Sequence, residues 1–254
     1  MPSAGQVELP AFVRLAAHPL RWRLMTELSV SDQRVRELVA RVGEPQNLVS
    51  YHLRQLRDGG LVTSSRSSLD GRDSYYHLDL DRCANGLDDA GVALHPALRR
   101  PHDSGSPAPS RRIEVLFVCT GNSARSPIAE ALLDRHAVAG VSATSAGTRP
   151  KDQLHPDAVR ALQRGFGIDL SGRRPRGLDT LTDRRFDVVV TLCDKAREVC
   201  PEFPGQQRTI HWSVRDPAAD PGRQAFEHAT ADIDTRVRYL LPVLTATARS
   251  EGPP

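Results

Sequence analysis

A cysteine, an arginine, a serine and a late aspartate are placed to handle a tetrahedral oxyanion. Cys119 opens the run CTGNSARS, Arg125 follows six residues later with Ser126 directly after it, and Asp216 precedes a proline in RDPAAD. A thiolate at Cys119 is a nucleophile, and the guanidinium of Arg125 offers a planar fork of donors to oxyanion oxygens. The Ser126 hydroxyl can donate to the sulfur and make it a better leaving group. A loop carboxyl at Asp216 can protonate the oxygen that departs. Two more cysteines, Cys193 and Cys200, stand seven residues apart in VVVTLCDKAREVCP. On one continuous helix they lie about 10.5 Å apart, beyond the roughly 4.4 to 6.8 Å that a disulfide spans between Cα atoms. Pairing them therefore demands local unwinding; the alternative is two half-buried helix thiols.

These residues need elements to hold them. Ile113 to Val118 (IEVLFV) predicts a strand, and Ile128, Ala131 and Leu132 recur at helical spacing behind Pro127, which sits where a first turn tolerates it. Cys119 thus ends a strand, and Thr120, Gly121, Asn122, Ser123, Ala124 and Arg125 form an oxyanion-binding turn into a helix. Backbone N–H groups in such a loop point at one spot, and the helix dipole favours negative charge there, a thiolate included. Further strands are expected at Val141 to Ala146, Phe186 to Leu192 and Arg208 to Ser213, with helices near His155 to Phe166 and Pro221 to Leu244. Alternating strands and helices predict an α/β doubly wound parallel sheet, which binds ligands outside the carboxyl ends of its strands. Cys119, Cys193 and Asp216 each lie at or just past such an end, so all three are expected to face one crevice.

The first eighty residues read differently. Phe12, Leu15, Ala16, Leu20, Leu24 and Leu28 keep a helical period, with His18-Pro19 marking a bend or a helix start. A short helix fits Arg34 to Val42, and a third fits Pro45 to Gly59 with Leu48, Val49, His52, Leu53 and Leu56 inward. LVTSSR and SYYHLDL then predict a hairpin around Asp70-Gly71. The set makes a winged helix-turn-helix (α+β), whose third helix reads the major groove. Gln46, Asn47, Ser50, Tyr51, Arg54 and Gln55 on that helix carry side chains suited to base edges, and Arg66 and Arg72 in the wing suit phosphates. Residues 1 to 100 carry 13 Arg and no Lys against 12 acidic residues, so the DNA argument is local rather than one of net charge. The alternative is a small helical domain with a solvated polar face. Cys83 reads as structural or incidental, and His18, His52, His77 and His95 have no ligand-like spacing, so no metal site is expected.

The chain has 254 residues, 39% hydrophobic and 26% charged, with net charge +3 and four cysteines. That length suits two domains of the usual size. Ala84 to Arg112 is dense in Gly, Pro, Ser and Asp, which predicts a linker. The expected organisation is 1–83 winged helix-turn-helix, 84–111 linker and 112–254 catalytic domain. No apolar run approaches the ~20 residues of a membrane span, and the N-terminus lacks the pattern of a signal peptide. A cytoplasmic location is expected, where cysteines stay thiols.

Three resemblances sharpen this. NLVSYHLRQLRDGGLV followed by GRDSYYHL resembles the ArsR family of repressors over residues 10 to 82, which implies a homodimer that leaves a DNA operator on sensing a metal or metalloid. The cysteine pair that many members carry is absent from Ser29 to Val42. CTGNSARS with a late Asp-Pro resembles the low-molecular-weight protein tyrosine phosphatases over residues 112 to 245. VVTLC, a second cysteine before proline and HWSVRDPA resemble the thioredoxin-coupled arsenate reductases of the same fold. That resemblance implies arsenate or phosphate in the loop, Asp216 as acid, and a relay from Cys119 to Cys193 to Cys200. No bound cofactor is implied, only an external thioredoxin-like dithiol. The family often has a cysteine where this chain has Ala124. Its potassium site matches at Asn122, Glu130 and Ser145 but lacks the acidic residue expected near Arg174 to Arg176. A phosphatase, and a sensor that binds an oxyanion without turnover, are the alternatives.

Overall fold

A computed structural model describes residues 9–69, 71–95, 98, 111–136, 140–220 and 223–250. The chain forms two units, one built on Met1–Arg66 and Asp73–Ser104, the other on Ser67–Arg72 and Gly105–Pro254.

In the first unit, His18 and Pro19 start a helix rather than bend one. Pro19 takes the first helical position, where its missing N–H is no loss, and His18 Nδ1 accepts from the Leu20 N–H at 3.2 Å. The helices are α1 (Ala11–Ala16), α2 (Pro19–Leu28), α3 (Val35–Val42) and α4 (Gln46–Asp58). α3 stops at Gly43, whose φ of 69° is the left-handed conformation that glycine adopts without strain. A short strand β1 (Gln33–Arg34) joins β2 (Val62–Arg66) and β3 (Ser74–Leu78) in an antiparallel sheet of order β1-β3-β2. Leu24, Leu38, Val49, Leu53 and Leu56 are fully buried and form the core.

Two expectations fail here. Leu48 is 38% exposed, because the buried stripe of α4 runs through Val49, His52, Leu53 and Leu56 and leaves position 48 on its edge. Residues 84–94, expected to open the linker, instead continue α5 (Leu80–Leu94). Asp79 caps that helix by accepting from the Arg82 N–H at 2.9 Å. Its Gly86 faces Phe12, and a Cβ there would come within 2.7 Å of the Phe12 side chain. The glycine is a close helix–helix approach to α1, not a sign of flexible chain. Residues 96–97 and 99–110 of the expected linker lie outside the described residues.

The second unit alternates strand and helix: β4 (Ile113–Cys119), α6 (Arg125–His136), β5 (Val141–Gly147), α7 (Pro156–Phe166), β6 (Val188–Thr191), α8 (Asp194–Val199), β7 (Arg208–His211) and α9 (Arg223–Ser250). Its sheet is parallel throughout, in the order β5-β4-β6-β7. Val115 to Val118 and Val188 to Thr191 are all buried, as strands covered by helices on both faces must be. β6 is shorter than the apolar run that announced it, because Phe186 and Leu192 are buried as loop residues at its two ends. From β4 the chain passes to β5 on one side and then crosses to β6 on the other. β4 is therefore the switch point of the sheet, and the crevice beyond its carboxyl end is where such folds bind ligands. Among the described residues no helix is long and apolar enough to cross a membrane.

Candidate active site

Cys119 is the last residue of β4, and the chain turns through Thr120–Ala124 into α6. What shapes this turn is the segment after β5. Thr148, Arg149, Lys151 and His155 donate their N–H groups to the carbonyls of Cys119, Thr120, Gly121 and Ser123, at 3.1, 2.8, 2.9 and 2.7 Å. A trans peptide is planar, so a carbonyl held against that segment turns the next residue's N–H the opposite way. The loop amides are thus aimed by the bonds behind them, and the Asn122 N–H meets Cys119 Sγ at 3.2 Å. Such an array with a helix start suits an anion.

Ser126 Oγ lies 3.0 Å from Cys119 Sγ. Because Asn122 Nδ2 donates to Ser126 Oγ at 2.9 Å, the hydroxyl hydrogen is directed to the sulfur or, at 3.4 Å, to the Ala146 carbonyl. Asn122 is the hub of the loop. It holds φ of 43°, a left-handed conformation that Asn tolerates better than most residues, and it also donates to Ser145 Oγ at 2.9 Å and accepts from the Arg176 N–H at 2.7 Å. Ser145 Oγ donates to Glu130 at 2.5 Å, and Arg173 pairs with Glu130 at 3.1 Å. The positive partner of Glu130 here is thus a side chain of this chain.

Gly147, at the end of β5, allows the loop to pass. A Cβ there would lie 2.8 Å from the Thr120 carbonyl and 2.9 Å from the Asn122 nitrogen, both backbone atoms that cannot swing away. Gly147→Ala is expected to destabilise the domain by about 1–3 kcal/mol, the usual effect of overpacking. It is also expected to weaken phosphate binding, because the Asn122 amide must shift. Denaturant unfolding and calorimetric titration with phosphate measure the two effects.

Arg125 is buried at the first turn of α6. It donates to the Val214 carbonyl at 3.0 Å and reaches Asp216 at 3.2 Å. Asp216 also accepts from the Ala218 N–H at 3.2 Å, and it is half exposed, at the mouth of the site rather than its floor. Cys193 is buried and ends up beside the loop, with Sγ 3.3 Å from Thr120 Oγ1. Cys193 and Cys200 stand at the two ends of the six-residue α8, and all four cysteines are free thiols. Burial pushes the Cys200 thiol up to about 11. Cys83 lies in the core of the first unit and is likewise raised to about 11, by burial and by the nearby Asp79.

On α4, Gln46, Asn47, Tyr51 and Arg54 are exposed and Ser50 and Gln55 half-buried; Arg66 and Arg72 are exposed in the hairpin. Asn47, Ser50, Tyr51 and Arg54 share one face at helical spacing. His52 points the other way, buried and packed against His18 with ring centroids 4.2 Å apart and the rings tilted by 37°, so it is a core residue.

Val214, Gly147 and Arg173 are not marked as site residues by the sequence motifs. A glycine closing the strand run VSATSAG is a signal for Gly147. The others act through a backbone carbonyl or through contacts across long stretches of chain, which no local pattern encodes.

A model of the low molecular weight phosphotyrosine protein phosphatase family matches residues 114–250, and a model of the bacterial regulatory proteins of the arsR family matches residues 18–64. The arsenate reductase of Brevibacillus brevis is 34% identical over 124 residues, covering 49% of this chain and 90% of that protein. That of Halalkalibacterium halodurans is 36% identical over 129 residues, covering 49% and 91%. A solved structure described as an arsenate reductase in the phosphate binding state aligns with a TM-score of 0.47 at 27% identity, over 52% of this chain and 98% of that one. The second unit, from β4 to α9, thus makes this chain a member of the low molecular weight phosphotyrosine protein phosphatase family, with an arsR-family regulatory domain ahead of it.

Proposed function

We propose that the second domain reduces arsenate to arsenite by a three-cysteine relay, and that the first is a DNA-binding regulator fused to it. The observation that carries the reading is Cys193 beside the loop, 3.3 Å from Thr120 and one helix away from Cys200. A hydrolytic phosphatase has no use for either thiol. Cys119 attacks the arsenic of an arsenate held by the loop amides and Arg125, and one oxygen leaves as water with a proton from Asp216. Cys193 then attacks Cys119 Sγ. A sulfur–sulfur bond forms, the sulfur–arsenic bond breaks with its electron pair on arsenic, and arsenite departs two electrons richer. Cys200 attacks Cys193 in turn and frees Cys119 as a thiolate. A thioredoxin-like dithiol reduces the Cys193–Cys200 disulfide and is itself oxidised.

In the regulator, Gln46, Asn47, Ser50, Tyr51, Arg54 and Gln55 read base edges and Arg66 and Arg72 hold phosphates, in a homodimer on an operator. The protein works in the cytoplasm, where the dithiol supply is found. Cys193→Ser is expected to abolish arsenate reduction with a thioredoxin system while phosphate ester hydrolysis through Cys119 is unchanged. Retained arsenate reduction in that variant sinks the relay. Ester hydrolysis with no arsenate turnover in the unaltered protein favours the phosphatase reading.

A further inference from the structure

Beneath the first turn of α8 lies a buried polar cluster that the reaction above does not use. Thr191 and His211 are the last residues of β6 and β7 and face each other in register, with Thr191 Oγ1 2.9 Å from His211 Nδ1. His211 Nε2 reaches Asp194 Oδ1 at 3.1 Å, and Ser213 Oγ donates to the same oxygen at 2.8 Å. Asp194 and His211 are only 1% and 2% exposed. Burial works against a charged carboxyl there, yet the hydrogen bonds from His211, from the Ser68 N–H to the other carboxylate oxygen and from Ser213 outweigh it and hold Asp194 well below the ordinary carboxylate range. The carboxylate is thereby tied to the end of β7 through His211 and, by way of the His211–Thr191 bond, to the end of β6.

Asp194 follows Cys193 directly and is the first residue of α8. The other end of that helix is held differently, for Val199 is 63% exposed and Cys200 takes an extended backbone with ψ of 122°. One end is fastened to the sheet, and at the other Val199 is exposed and Cys200 half-buried. The relay, on which this inference rests, asks for that asymmetry: Cys200 must travel to Cys193 by opening the helix, while Cys193 must stay in reach of Cys119. We propose that Asp194 and His211 are positioning residues that fasten the start of α8 to the ends of β6 and β7, so that Cys193 keeps its place beside Cys119 as the Cys200 end unwinds.

The test uses the full chain, with Asp194→Ala and, should that variant not fold, His211→Gln. After mixing with arsenate, the rate of Cys119–Cys193 disulfide formation is read by acid quench and mass spectrometry, and inorganic phosphate binding to the loop by calorimetry. Misplacing an attacking group by an ångström is enough to slow its step about 10²-fold, and that loss is expected in both variants. Phosphate affinity is expected to stay within about twofold, since the loop amides and Arg125 are untouched. Asp194→Asn, which can keep the Ser213 bond through its carbonyl, is expected to recover part of the rate. Unchanged disulfide formation in both variants, or an equal fall in phosphate affinity and rate, overturns the proposal. If the unaltered chain forms no Cys119–Cys193 disulfide at all, the relay falls and this proposal with it, an outcome distinct from failure of the variants alone.

Discussion

Cys200→Ser is expected to release one arsenite per chain and then stop. Attack of Cys119 on arsenate and of Cys193 on Cys119 needs neither Cys200 nor any outside reductant, so the first turnover proceeds. The chain is then left as a Cys119–Cys193 disulfide, buried on both sides and out of reach of a dithiol protein. Multiple turnover with a thioredoxin system should fall to the background, while a quenched single-turnover reaction yields arsenite in stoichiometric amount and a trapped disulfide on peptide mapping. Continued turnover would mean that Cys200 has no place in the relay. The pH dependence of the resolving step adds a second reading of the same residue. In its folded place the Cys200 thiol is pushed up to about 11 by burial. Raised above the ordinary value, it is largely protonated at neutral pH and gains thiolate only as pH rises. Attack requires α8 to open, however, and an opened thiol returns to an ordinary value of about 8.5. The resolving rate should therefore climb about tenfold per pH unit from pH 7 and level off near 8.5. A climb that continues towards pH 11 would show Cys200 attacking from its half-buried place in the folded chain.

How far the sequence reveals such a site depends on the length scale of each interaction. Cys119, Arg125 and Ser126 are legible because a strand end, a loop and a helix start lie within one short run, and the chemistry follows from the types of residue at that junction. The placement of Cys193 and Asp216 near them follows from a rule about parallel sheets, not from any contact that the sequence displays. The shaping of the loop is hidden. It comes from the N–H groups of Thr148, Arg149, Lys151 and His155, which any residue but proline can supply, so no side-chain pattern marks them. The Glu130–Arg173 pair joins positions 43 residues apart and looks, in sequence, like two surface charges. α5 is hidden for another reason: Gly86 and Gly91 suggest loose chain, whereas Gly86 makes room for the Phe12 side chain of α1. Glycine marks both flexibility and close packing, and only the partner across the interface distinguishes them.

Arg125→Lys keeps the charge and removes the geometry. The guanidinium of Arg125 is 8% exposed and spans two acceptors at once, the Val214 carbonyl at 3.0 Å and Asp216 at 3.2 Å. A lysine ammonium is a point charge on a flexible stem; it can meet one of these acceptors, and it cannot present two parallel N–H groups to the oxygens of an oxyanion. Two functions are lost together, the fork that stabilises charge on the attacked oxyanion and the contact that keeps the Asp216 carboxyl over the site. Loss of one oxyanion donor slows reactions of this kind about 10²- to 10³-fold. Reduced kcat/KM for arsenate in that range is expected, with weaker phosphate binding. Stability should change far less, because Asp216 is 48% exposed and an ion pair with so much water access contributes on the order of 1 kcal/mol or less. Activity and stability therefore separate in this variant. A kcat/KM within about threefold of the unaltered chain would place the oxyanion elsewhere than over Cys119 and Arg125, and would remove the basis for assigning Asp216 as the acid.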